Sequence, residues 1–138
     1  MGMKHCFSVC VGMLCLSVAP CVAADIPPAI EGAMQRYVAL PDALLPVLEA
    51  AKDRKSADAA AGDLEALLSR VYAARKEMSR IPSLSPEVSA SVRSKYEQQM
   101  RTRWGKVYDQ IYRLQRVKCY MSVPYFKHFS TLCRMLES

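Results

Sequence analysis

Between Ser56 and Pro82 the apolar residues Leu64, Leu67, Val71, Ala74, Met78 and Ile81 recur at spacings of three, four, three, four and three. Residues at those intervals share one stripe of an α-helix, and a stripe this regular asks for near-parallel packing against other helices. A strand does not produce it, because successive side chains of a strand point to opposite faces. An all-α fold is therefore expected. Ser56, ahead of Ala57-Asp58-Ala59-Ala60-Ala61, is placed as an N-cap with an acid in the first turn. Pro82 ends the helix, because proline disfavours helical geometry in the residue before it.

The same punctuation organises the rest. Ser85 caps a second start, with Pro86 at the first helical position and Glu87 at the positive end of the dipole. Beyond it Val88, Val92, Tyr96, Met100, Trp104, Val107, Ile111, Leu114 and Met121 fall on one face, with no proline until Pro124. Gly105 is the one weak point, marking a bend or a close helix crossing. A short helix from Tyr125 to about Leu136 presents Phe126, Phe129, Leu132, Cys133 and Leu136. Upstream, Ala29–Ala39 and Ala43–Asp53 are helical on either side of a break at Pro41-Asp42. The expected fold is an antiparallel up-down helical bundle of three main helices, with an irregular N-terminal helix and a short C-terminal helix. Leu67, Val71, Met78, Met100, Trp104 and Ile111 should share one core.

The N-terminus carries a different signal. Lys4 precedes an apolar run from Cys6 to Ala19, and Val22-Ala23-Ala24 supplies a small-residue exit. That is the pattern of a secretory signal peptide over residues 1–24, cleaved near Ala24, with residues 25–138 as one helical domain. The run is shorter than the roughly 20 residues a spanning helix needs. Periplasmic or secreted residence follows, and nucleic acid is then disfavoured as a partner. Of six cysteines, Cys119 and Cys133 alone lie beyond the leader, and an oxidising compartment would favour a disulfide between them.

Charge is unevenly placed. Residues 25–65 hold eight acids and four bases, whereas residues 66–138 hold five acids and fourteen bases. On the long helix Lys95, Lys106, Arg113 and Arg116 fall within one sector, opposite Met100, Trp104 and Ile111. They form a candidate stripe for an anionic surface. The competing reading is an ordinary solvated face, or one neutralised by the acidic first half.

The segment Lys52-Asp53-Arg54-Lys55-Ser56-Ala57-Asp58-Ala59-Ala60-Ala61, with Leu64 after it and Leu84-Ser85-Pro86-Glu87 downstream, resembles small exported bacterial helical-bundle proteins without an assigned function. The likeness spans about residues 43–120 and implies export and a helical fold, not a site. The L-[ST]-P-E start is also similar to periplasmic chaperones of the Spy/CpxP type, although the glutamine of their motif is Val88 here. The layout resembles cytochrome b562-like bundles too, which would make Met34 and His128 haem ligands.

Catalytic and metal sites are not expected. His128 is the sole histidine beyond the leader, and it has no spaced nucleophile or ligand set around it. The leading expectation is a non-catalytic exported envelope or secreted module, without a cofactor, that binds a protein or an anionic surface, as a monomer or homodimer. A periplasmic holdase is the first alternative and a haem-binding electron carrier the second.

Overall fold

The structure is a computed structural model that describes residues 24–138, and the leader expected over the first 24 residues lies almost wholly outside them. Four α-helices make up the described chain: α1 (Pro28–Ala50), α2 (Arg54–Ser79), α3 (Pro86–Arg116) and α4 (Val123–Glu137), with a tight turn at Lys118–Met121 between the last two. No strand occurs among the described residues. The fold is an all-α helical bundle.

Local chemistry explains each boundary, and in two places it overrides the simplest reading. Asp53, not Ser56, caps α2. The Asp53 carboxylate accepts from the Ser56 amide at 2.7 Å, while the Ser56 hydroxyl oxygen accepts from the Asp53 amide at 3.0 Å. Ser56 thus closes a reciprocal capping box from three residues inside the helix. α1 runs unbroken through Pro41 and Pro46. Its buried stripe of Ile30, Met34, Val38, Pro41, Leu44 and Leu48 keeps helical spacing across both prolines, so packing offsets the lost amide bonds. Ser85 does cap α3, accepting from the Val88 amide at 3.3 Å.

Chain direction alternates along the sequence, but sequence neighbours are not always the packing neighbours. α1 lies antiparallel to α2, joined by the Arg36–Glu77 ion pair. It also lies alongside α3 in the same direction, as Glu31–Lys95, Asp42–Arg103 and Leu48–Arg113 contacts record. α4 likewise runs with α2, through Ser122–Asp58 and His128–Glu65. The order around the bundle is therefore α3, α1, α2, α4. The linker after α2 crosses one end, where Ile81 and Leu84 cover apolar residues.

This arrangement splits the core that the sequence places in one body. The larger cluster holds Leu44, Leu48, Leu64, Val71, Trp104, Ile111, Leu114, Tyr125, Phe129 and Leu132, with Leu67 packed against it. The smaller joins Ile30, Met34, Val38 and Tyr96 to Met78, beneath the linker. Met100 touches both. Because α4 has 15 residues against the 31 of α3, only the end carrying the larger cluster is four helices thick. Truncating Leu64, Leu114 or Leu132 to alanine there should cost about 2–5 kcal/mol. Trp104 is 5% exposed and stacks on Tyr37, with ring centroids 5.0 Å apart.

The expected disulfide is not formed: Cys119 and Cys133 are both free thiols. α4 has climbed about 15 Å from its first residue by Cys133. The Cys133 side chain consequently lines a hollow with Ile111, Tyr112 and Gln115 of α3, above the turn that buries Cys119.

Candidate binding surface at a left-handed turn

α3 ends at Arg116, short of the Pro124 limit, and the chain then reverses through a turn whose backbone is left-handed at four consecutive residues. Lys118 and Cys119 have φ 49°, Tyr120 φ 54° and Met121 φ 60°. None is a glycine, and such a conformation costs roughly 1–2 kcal/mol per residue for L-amino acids. Strain of this kind persists only where the surroundings over-determine it.

The surroundings do so from three sides. Cys119 and Ser122 are fully buried. Burial in the core pushes the Cys119 thiol up to about 11, with the charge of Cys133 adding to the rise and Arg113 opposing it. The Ser122 hydroxyl donates to the Asp58 carboxylate of α2, and its oxygen caps α4 at the Tyr125 amide. Tyr125, buried beneath the turn, donates to the Val47 carbonyl at 3.3 Å, and burial raises its phenol well above the usual range. Arg113 supplies the third restraint. Its guanidinium donates to the Leu48 carbonyl at 2.9 Å, the Ala51 carbonyl at 3.0 Å, the Tyr120 hydroxyl at 3.1 Å and Gln110 at 2.7 Å. It thereby satisfies the C-terminal carbonyls of α1, whose last turn has no base of its own.

The outward side of this turn is apolar. Met121 is 67% exposed, Val123 75% and Phe126 54%, and with Lys118 they line a shallow hollow of about 390 Å³. Met121 and Phe126 were expected on core-facing stripes. The change of hand at the turn aims Met121 outward instead, and α4 buries Tyr125, Phe129 and Leu132 in place of Phe126.

Lys118 lines the hollow, and other bases lie at the same end of the bundle. Lys127 stands one helical turn beyond Val123, and Arg116 and Lys118 flank the turn itself. Arg54 and Lys55 occupy the same turn of α2 as Asp58, which is bonded to Ser122. All five are exposed, and none is in an ion pair among the described residues. The acids of this end are Glu49, Asp53 and Asp58, of which Asp53 is occupied by its cap and Asp58 by Ser122.

The four bases of the long-helix stripe separate accordingly. Lys95 is joined to Glu31, which also accepts from the Tyr96 hydroxyl, and these contacts hold the Glu31 carboxyl below its ordinary range, Lys95 contributing most. Arg113 is turned inward as described. Lys106 and Arg116 are exposed and unpaired among the described residues, about 15 Å apart along α3. The stripe is thus not one continuous cationic face: of its two free bases, Arg116 stands at the turn and Lys106 midway along α3. That Arg116 shares an end of the bundle with Lys118, Lys127, Arg54 and Lys55 was hidden in the sequence, because only the tertiary fold brings these segments together.

The haem pair is not brought together. Met34 is buried beside Tyr96 and Met78, whereas His128 faces Glu65 at 3.7 Å. Glu65 and Met78 are separated by about 20 Å along α2, so Met34 and His128 cannot ligate one iron. Among the described residues there is also no group of three His, Cys, Asp or Glu arranged to hold a metal ion. Comparison of the chain with family models, curated proteins and solved structures finds no match.

Proposed function

We propose that this chain is a non-catalytic helical module, exported under the leader at residues 1–24, whose end at Lys118–Met121 binds an anionic partner. The observation that carries the reading is the cluster of five exposed bases around that turn, free of ion pairs among the described residues, while every ion pair there involves other side chains. Unpaired like charges repel one another and add nothing to folding, so five of them on the same end as the exposed Met121, Val123 and Phe126 favour a partner that supplies the opposite sign.

Immobilised heparin serves as a polyanion probe. The protein should be retained at low salt and released as ionic strength rises, because exposed charges are screened within about 10 Å at 0.1 M salt. Lys118→Glu combined with Lys127→Glu should abolish most retention and leave the melting temperature nearly unchanged. Lys106→Glu, midway along α3, should have a much smaller effect. Equal effects from both would move the binding face to the side of α3, and unchanged retention of the double variant would refute the reading. Export has its own test, since mass spectrometry of exported protein should give an N-terminus at Asp25 or Ala24.

A further inference from the structure

We propose that the anionic partner is a phospholipid bilayer, with Met121, Val123 and Phe126 entering the acyl boundary and Arg54, Lys55, Arg116, Lys118 and Lys127 meeting headgroup phosphates. This rests on the reading that the turn end binds an anionic partner, and it names that partner. A polyanionic polymer would be recognised by the bases alone and would leave three large apolar side chains in water. An anionic bilayer offers both complements at the right depths, apolar matter below and negative charge above. The apolar residues also sit where a peripheral anchor needs them. They are contiguous around one hollow that Lys118 also lines, on the end that carries four further exposed bases, and are held outward by a backbone turn that Arg113, Tyr120, Ser122 and Asp58 brace.

A second copy of the chain is the weaker fit. Two-fold pairing through this patch would place the same five bases opposite themselves, against three acids of that end, of which Asp53 and Asp58 are already occupied by Ser56 and Ser122. Spanning is not involved, because no described helix is long and apolar enough to cross a membrane.

The test uses the full chain and vesicles of phosphatidylcholine with phosphatidylglycerol, three parts to one, against phosphatidylcholine alone. Every variant shares the same residues 1–23, so differences between variants report the turn end. Flotation should recover the protein with the anionic vesicles, less so at high salt. Reversing Lys118 and Lys127 should weaken binding at least fivefold for each base. Val123→Ser with Phe126→Ser, both exposed positions, should weaken it about tenfold without lowering the melting temperature. The direct readout is Phe126→Trp, whose emission should be quenched by lipids brominated on their acyl chains. Flotation without that quenching would overturn the proposal, as would serine variants that bind like the parent. Heparin retention with no vesicle binding would overturn the bilayer and leave the anionic-partner reading standing, whereas loss of both would remove both. A dimer dissolved by Phe126→Ser, with no vesicle binding, would assign the patch to self-association and overturn the proposal.

Discussion

Arg113 fastens α3 to the end of α1 through four hydrogen bonds, two of them to main-chain carbonyls that nothing else in α1 satisfies. Its side chain is half-buried, so the carbonyls would be left in poorly hydrated surroundings without it. Arg113→Met keeps the bulk and removes the donors, and should cost about 3 kcal/mol by urea denaturation, the scale for charged hydrogen bonds whose partners become orphans. Arg113→Lys should recover little, because an ammonium cannot reproduce the fork that spans Leu48 and Ala51. A loss under 0.5 kcal/mol, about the size of an ordinary surface change, would show that water replaces the guanidinium. That Arg113 is structural was not legible from its helical position. Position on a helix gives a face, and which carbonyls end against that face depends on where α1 stops.

At the scale of the elements, Gly105 and Gly62 lie inside α3 and α2 at helical dihedrals, and a Cβ built on either meets nothing within 4 Å. Gly105 therefore marks no close crossing. Gly105→Ala and Gly62→Ala should each raise stability by about 0.5–1 kcal/mol, read as a higher melting temperature, because alanine restricts the unfolded chain and favours helix. A fall at Gly105 would mean that its site is closed by something beyond the described residues. The elements themselves were largely readable. The seam from Leu64 to Ile81, the Ser85 cap and the helix after Pro124 rest on spacing and caps, which are local. What was not readable depends on tertiary contact. Pro41 is carried through α1 by burial on both sides, and α3 stops at Arg116 although no glycine or asparagine follows it. Lys118, Cys119, Tyr120 and Met121 carry no left-handed signal, and the turn exists because Cys119 and Ser122 are drawn into the core.

Across the whole molecule, ion pairs tie the helices together around the smaller cluster. The Glu31–Lys95 and Arg36–Glu77 pairs bind α1 to α3 and to α2 there, while Arg54, Lys55, Arg116, Lys118 and Lys127 stand unpaired at the four-helix end, as Lys76, Arg80 and Arg93 do toward the other, among the described residues. The acidic first half does fold against the basic second half, as Glu31 and Asp42 meeting Lys95 and Arg103 demonstrate. A pH dependence follows, carried by Glu31 and Glu77 at the end of the smaller cluster and by Asp53, which the Ser56 amide and hydroxyl hold below its ordinary range, at the other. Lys95, and then Tyr96, hold Glu31 below its ordinary 4.5, and Arg36 does the same for Glu77. A carboxylate with a depressed folded value binds its proton more readily when unfolded. Its stabilisation is therefore fully present above pH 4.5 and is lost as pH falls through the folded value. Acidification should loosen the three-helix end first. Amide exchange should accelerate around Ile30 to Val38 and near Tyr96, where two such carboxylates join helices, before it does around Leu114 and Leu132, at the end where Asp53 acts only within its own cap. Because both pairs are solvent-exposed, the effect should shrink in high salt. Glu31→Gln with Glu77→Gln should lower protection at this end near neutral pH and flatten its acid dependence. Uniform loosening of both clusters on acidification, unchanged by that double substitution, would show that the two ends open as one cooperative unit and that these pairs do not set where unfolding begins.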